Sequence, residues 1–348
     1  MSDPREPSLM PRVESIRWRE GRLWLLDQRL LPGSETWLPI DDAALAAAAI
    51  RDLVVRGAPA IGITAAFASV LAARARGPDR AGWLGDLEGL QRSRPTAVNL
   101  RWALDRMRGV LGEQAPGEMA DRLEHEALTI LEQDRQANAR MAALGAAAIA
   151  PGSGVLTHCN TGSLATGGTG TAIGVIVQAW REQRLREVFA CETRPWLQGL
   201  RLTAWELGHE GVPVQMLVEG AAAGLLRSGR VDWVVTGADR ITANGDVANK
   251  IGTLMLAVLA RQFGARMMVV APVSTLDPDT ETGDSIEIEQ RDPAEIWSSA
   301  GLVEAPSGAT AFNPVFDITP AEYIDLIVTD RGVIEPPFHG RIQAIAAG

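Results

Sequence analysis

The chain has 348 residues, 46% hydrophobic and 22% charged, which suits one large or two medium globular domains with an ample core. Its 33 Lys and Arg against 43 Asp and Glu leave a net charge of −10, which argues against nucleic acid or an anionic membrane as the main partner. The two cysteines, Cys159 and Cys191, rule out a disulfide scaffold or a cysteine zinc cluster and fit a reducing cytoplasm, and the four histidines, none at helical i, i+4 spacing, argue against a protein-only metal site.

Residues 1–11 have charges but no apolar stretch after them, so they read as a short disordered tail and not as a signal peptide. The next thirty residues alternate apolar and polar, with breaks at "REG" and "LPGSE", and predict a small antiparallel β element. From Asp41 to about Ala150 the period becomes helical. "DDAALAAAAIRDLVV", "AIGITAAFASVLAARAR", "AGWLGDLEGLQRSR" and "AVNLRWALDRMRGVL" precede one long pattern ending in "MAALGAAAIA". The longest uninterrupted apolar runs fall short of the ~20 residues of a membrane span.

From Pro151 short β-rich runs alternate with helical ones. The runs are "GVLTHC", "EVFACET", "PVQMLVEG", "VDWVVTGAD" and "RMMVVAP", and "YIDLIVTDRGVI" reads as a final strand. This alternation predicts an α/β fold. A C-terminal Rossmann-like parallel sheet with helices on both faces follows a mostly helical N-terminal domain with a small β element. The expected boundaries are 12–150 for the N-terminal domain and 151–348 for the catalytic one. The acidic stretch "DPDTETGDSIEIEQRDPAEI" reads as a solvated insertion.

In an open parallel sheet, ligands sit beyond the carboxyl ends of the strands. The residues expected to share that crevice are Cys159, Asn160, Glu192, Thr193, Glu219, Gly237, Asp239 and Ala271. The segment "VLTHCNTGSLATGGTGTA" places Cys159 before a loop whose glycines 162, 167, 168 and 170 let backbone approach a ligand. The start of the next helix would favour an anion. The G-x-G-x-x-x-G spacing does not match a dinucleotide fingerprint, and a loop with no ligand is the alternative. His158 neighbours Cys159, but adjacent strand residues face opposite ways, so it reads as a packed core residue unless the strand has already ended.

In "VVTGADRITANGDVANKIGT" a strand ends before Asp239, and Asn249-Lys250 read as the start of a helix. A lysine there opposes the helix dipole, which suggests a task with an anionic ligand. Asp239 and Cys159 would give an acid and a thiol at one crevice, suited to proton transfer. "VVRGAPAIG" offers the Arg56 guanidinium with the Gly57 and Ala58 amides as an anion clamp. Arg94 precedes a proline on a loop, and "ETRPWLQG" sets Gln198 just past another strand end.

Together, "RGAPAIG", "THCNTGSLATGGTGTA", "ETRPWLQGLRLTAWEL" and "TGADRITANGDVANKIGT" resemble the methylthioribose-1-phosphate isomerase family. That family shares a superfamily with the regulatory subunits of translation initiation factor 2B. The resemblance implies an aldose–ketose isomerase of methionine salvage that takes 5-methylthioribose 1-phosphate to 5-methylthioribulose 1-phosphate. It implies no metal, no cofactor and a cytoplasmic homodimer. It makes Cys159 and Asp239 catalytic, and Arg56, Gly57, Ala58, Arg94, Gln198, Asn249 and Lys250 substrate-binding. Asp239 would donate a proton to the ring oxygen, and Cys159 would assist a proton transfer or a hydride shift between C2 and C1. Thr169 stands where the family often has tyrosine. The alternatives are an isomerase of 5-deoxyribose 1-phosphate or ribose 1,5-bisphosphate, and a non-enzymatic regulatory subunit.

Overall fold

The computed structural model describes residues 12–95, 97–111, 115, 117–298, 301, 305 and 307–347. The expected tail at 1–11 lies outside the described residues. The chain forms two compact units, one of Met1–Ala139 with Gly162–Gly170 and one of Arg140–Thr161 with Thr171–Gly348.

Unit 1 opens with an antiparallel sheet of β1 (Ile16–Arg19), β2 (Arg22–Leu26) and β3 (Trp37–Ile40), with β2 in the middle. Helices α1 (Ala43–Arg51), α2 (Ala58–Arg76), α3 (Arg80–Ser93) and α4 (Val98–Leu111) follow. Asp42 caps α1 by accepting the Leu45 amide at 2.7 Å, and Asp79 caps α3 by accepting that of Gly82 at 2.9 Å. Helix α2 is long and apolar enough to cross a membrane, yet every residue from Ala60 to Ala73 is buried, so it is the core helix of this unit. Leu23, Leu25, Ile50, Phe67, Leu87, Leu104 and Leu123 pack in the same core. Helix α5 (Ala120–Ala148) contributes to both units.

Unit 2 is built on a seven-stranded sheet. Its strands are β4 (Ser153–Thr157), β5 (Leu185–Cys191), β6 (Gln215–Leu217), β7 (Trp233–Thr236), and three introduced below. Helices α6 (Ala172–Arg181), α7 (Ala204–His209) and α8 (Ala222–Arg227) lie between them in sequence. Next come β8 (Arg240–Thr242), β9 (Val247–Lys250), α9 (Thr253–Phe263) and β10 (Arg266–Val270). The chain then forms β11 (Leu276–Asp277), α10 (Ala294–Ser298), β12 (Phe316–Thr319), β13 (Leu326–Thr329), β14 (Gly332–Ile334) and α11 (Arg341–Ala347).

The sheet order is β14-β13-β10-β7-β4-β5-β6, parallel throughout except for β14. Strands β4 and β7 are buried along their whole length, which is why they read as continuous apolar runs without alternation. Helix α6 packs on β4 and β5, and α9 on β7 and β10.

Three local expectations change. The expected last strand is a hairpin, β13 paired antiparallel with β14 around Asp330 and Arg331. A second sheet, ordered β11-β8-β9-β12, follows the carboxyl end of β7. The acidic stretch expected to be a solvated insertion supplies the second residue of β11 and the start of α10, and its Gly283 is buried.

Candidate active site

Strands β7, β4 and β5 are neighbours and all parallel, so the loops that leave their carboxyl ends emerge side by side. The first carries His158, Cys159, Asn160 and Thr161. The loop after β5 carries Thr193 and Gln198, and that after β7 carries Gly237 and Asp239. The β4 and β7 loops pack so tightly that a methyl group on Gly237 would lie 2.6 Å from Thr161 Cγ2.

Cys159 is partly exposed and adopts φ +65°, a left-handed conformation uncommon outside glycine and asparagine. Its amide donates to Thr193 Oγ1 at 2.9 Å, and its carbonyl accepts from Thr203 Oγ1 at 2.6 Å. Its sulfur accepts from the Gln198 side-chain amide, Nε2 to Sγ 3.4 Å. Gln198 is buried, and its Oε1, like Thr161 Oγ1, meets no donor among the described residues. Leaving a buried acceptor unpaired costs about 1–3 kcal/mol, so a ligand donor placed against either would be favourable.

Strand β4 has ended by His158, so alternation no longer separates it from Cys159. Its nitrogens nevertheless serve other partners. Nε2 lies 2.8 Å from the Ile251 carbonyl, which assigns the hydrogen to Nε2, and Nδ1 lies 3.5 Å from Thr193 Oγ1. Burial pushes the imidazole down to about 4, so it is neutral near pH 7. His158 is the packed residue its sequence position suggested.

His158, Cys191 and Glu219 bring a nitrogen, a sulfur and a carboxylate oxygen within 4.8 Å of one another, a donor set suited to a thiophilic cation. The chemistry of the set fits such an ion poorly. Burial, then the charges of Glu219 and Glu192, push the Cys191 thiol far up and keep it protonated. Glu219, itself raised by burial, accepts the Thr193 amide at 2.6 Å. The cluster acts as packing and hydrogen-bonding support for the loop after β5.

Asp239 leads from β7 into an antiparallel ribbon of β8 and β9. Its amide donates to the Ala248 carbonyl at 2.9 Å, next to Asn249 and Lys250. Those two residues close β9 and do not open a helix: α9 starts only at Thr253, after Gly252. The helix-dipole argument for Lys250 therefore falls away. Lys250 Nζ donates to the Val315 carbonyl at 3.0 Å and lies 4.6 Å from the centre of the Phe316 ring. Asn249 is buried and donates to Thr253 Oγ1 at 3.0 Å. Gln198 and Lys250 line one small pocket with Arg291 and Asn313. Beside it, sharing Ile251 and Asn313, is a cavity of about 330 Å³ bounded also by Arg194, Met255 and Phe312.

The remaining predicted residues belong to unit 1. Arg56 is buried, and its Nε donates to Gln28 Oε1 at 3.2 Å; Gln28 in turn donates to the Leu164 carbonyl at 2.7 Å. Gly57 stands at φ +95° just before α2, with Ala58 the first helical residue. A methyl group on Gly57 would lie 2.6 Å from the Cα, Cβ and carbonyl oxygen of Ala165. The Arg-Gly-Ala turn thus seats the glycine-rich segment. That segment is also pinned to α5: Gly167 donates to Asp134 at 2.7 Å, Gly170 to Asn138 at 2.7 Å, and Arg135 donates to the Gly167 carbonyl at 3.1 Å. Two of the glycine amides expected to face a ligand are therefore engaged by α5. Arg94 ends α3, its carbonyl accepting the Ala97 amide at 3.1 Å.

Thr193 and Thr203 are the functional-looking residues that sequence undervalues. Thr193 was visible only as a strand-end residue, and Thr203, inside an ordinary helical pattern, gave no signal.

A parallel sheet whose carboxyl-edge loops carry a thiol and an acid is that of an α/β protein, and this edge is where such folds hold small ligands. The chain belongs to the Initiation factor 2 subunit family, whose description it matches over residues 54–336. Within that family it is similar to methylthioribose-1-phosphate isomerases. It is 58% identical over 337 residues to that of Thioalkalivibrio sulfidiphilus, covering 96% of this chain and 97% of the relative. It is 55% identical over 343 residues to that of Pseudomonas aeruginosa, covering 96% of each. The crystal structure of 5-methylthioribose 1-phosphate isomerase from Pyrococcus horikoshii OT3 superposes with TM-score 0.89 at 39% identity over 99% of both chains. That of translation initiation factor eIF-2B, subunit delta, from A. fulgidus gives 0.83 at 36% identity, over 97% of this chain and 100% of that one.

Proposed function

We propose that the protein is an aldose–ketose isomerase converting 5-methylthioribose 1-phosphate to 5-methylthioribulose 1-phosphate in methionine salvage. The observation that carries the reading is the placement of Cys159 and Asp239 just beyond the carboxyl ends of the adjacent strands β4 and β7, with the Cys159 sulfur on the Gln198 amide. The similarity to enzymes named for this reaction supports it.

The phosphate blocks the anomeric oxygen, so the ring must open before hydrogen can move. Asp239 gives a proton to the ring oxygen as its bond to C1 breaks. The hydrogen on C2 then leaves as a proton, C1 gains one, and the C2 hydroxyl returns its proton to the Asp239 carboxylate as it becomes the ketone. Cys159 carries that proton from C2 to C1, its sulfur held in place by the Gln198 amide. Lys250 and Asn249 bind the substrate, and the reading assigns binding also to Arg56, Gly57, Ala58 and Arg94. It calls for no metal or cofactor, and takes the protein as a cytoplasmic homodimer, for which a dimer mass in sedimentation is the expected result.

The test is side-by-side turnover of 5-methylthioribose 1-phosphate, 5-deoxyribose 1-phosphate and ribose 1,5-bisphosphate by the purified protein. The highest kcat/KM is expected for the methylthio sugar. Preference for another of the three moves the assignment to that sugar. Turnover of none would favour a regulatory role, to which the likeness to a translation-factor subunit would then point.

A further inference from the structure

We infer that Thr193 and Thr203 are positioning residues that clamp Cys159 by both of its backbone polar groups and so aim its thiol. The inference rests on the reading of Cys159 as catalytic.

Thr193 is fully buried at φ +62°, a conformation that a β-branched residue adopts only when its surroundings hold it there. Glycine would fit this backbone without strain, so the side chain needs a reason, and its bonds supply one. Thr193 Oγ1 accepts the Cys159 amide at 2.9 Å and donates to the Cys191 carbonyl at 3.3 Å. Its own amide is fixed to Glu219 at 2.6 Å, and its carbonyl accepts from Leu197 at 2.8 Å. From the other side, Thr203 Oγ1 donates to the Cys159 carbonyl at 2.6 Å, and Thr203 Oγ1 is itself held by Asn160 Nδ2, which donates to it at 3.2 Å and to Glu206 at 2.9 Å.

One residue at positive φ, held at its N–H by one threonine and at its C=O by another, has little freedom to rotate its Cα–Cβ bond relative to the sheet. Hydrogen transfer between adjacent carbons needs that fixed direction, because small misplacements of a reacting group carry large kinetic costs.

The test uses isosteric variants of the intact protein. Thr193→Val keeps the branched shape and removes the hydroxyl, and Thr193→Ser keeps the hydroxyl. The expected result for Thr193→Val is a kcat about 10-fold to 100-fold lower with KM within about threefold of wild type, and near-complete recovery in Thr193→Ser. Thr203→Val carries the same expectation and replaces Thr193→Val if that variant does not fold. A residue important only for stability would shift the melting temperature without this split between kcat and KM.

Wild-type kcat in both valine variants, or a serine variant as slow as the valine one, overturns the clamp. Cys159→Ala, assayed alongside, separates the two levels. If it loses turnover while the valine variants keep theirs, the clamp fails and the catalytic reading stands. If it keeps turnover, the catalytic reading itself fails.

Discussion

His158 and Asp317 should give the protein two opposing acid responses that a single substitution will separate. Burial lowers His158 from an ordinary 6.5 to about 4. As pH falls through that window the unfolded chain takes up a proton that the folded chain refuses. Stability fully present above 6.5 is therefore lost by about pH 4, and the loss amounts to about 3 kcal/mol. Asp317 behaves in the opposite sense. Burial raises it from 3.8 to about 6, although it accepts the Gly252 and Leu254 amides at 2.7 and 3.2 Å and lies near Lys250. Here the folded chain holds a proton that the unfolded chain releases. The contribution is present below 3.8 and lost as pH rises through 6, again about 3 kcal/mol. Between about pH 4 and 6 the two nearly cancel. Asp317→Asn removes one of them, so the variant should lose about 3 kcal/mol more than wild type on going from pH 6.5 to pH 4. His158→Gln, which keeps a donor for the Ile251 carbonyl, should lose about 3 kcal/mol less than wild type over the same range. Urea unfolding followed by tryptophan fluorescence in small pH steps gives these slopes. Slopes for wild type and Asp317→Asn that run parallel would refute the reasoning, whatever their offset.

Other expectations follow from the geometry. Gly57→Ala forces a side chain into a left-handed backbone and against Ala165, for about 1–2 kcal/mol of strain and about 1–3 kcal/mol of overpacking. Thermal melts should register that loss, and an unchanged melting temperature would mean the turn is not packed as described. Gln198→Leu removes both the donor to Cys159 Sγ and the unpaired Oε1, so kcat/KM should fall about 10-fold to 100-fold, read from steady-state kinetics. Turnover in D2O should place solvent deuterium on C1 of the product by mass spectrometry; product free of it would indicate a hydride shift past Cys159.

The parallel sheet was readable because strands buried on both faces must be continuous apolar runs, as "GVLT" and "WVVT" are. The strand-end rule then brought Cys159, Thr193, Glu219 and Asp239 into view together. The misreadings have equally local causes. Asn249-Lys250 precede an apolar helix in sequence, and only the antiparallel pairing of β9 with β12, through Asn249 opposite Asp317 and Lys250 opposite Phe316, keeps them in a strand. Partners that far along the chain leave no periodic mark. Asp330-Arg331 turned β13 into a hairpin without the Asn-Gly or Asp-Gly pair that usually announces one. The glycine-rich segment looked like a bare cradle because glycine permits close approach by anything, and helix α5 is what approaches Gly167 and Gly168.

The central claim is that a sulfur from the β4 loop and a carboxyl from the β7 loop act on one sugar. The direct measurement is conversion of 5-methylthioribose 1-phosphate by Cys159→Ala and Asp239→Asn, followed by NMR, with circular dichroism to confirm folding. Both folded variants should be slower by about 10²–10⁴-fold. Ketose formation at the wild-type rate by either variant would take that residue out of the reaction and leave the account without its chemistry.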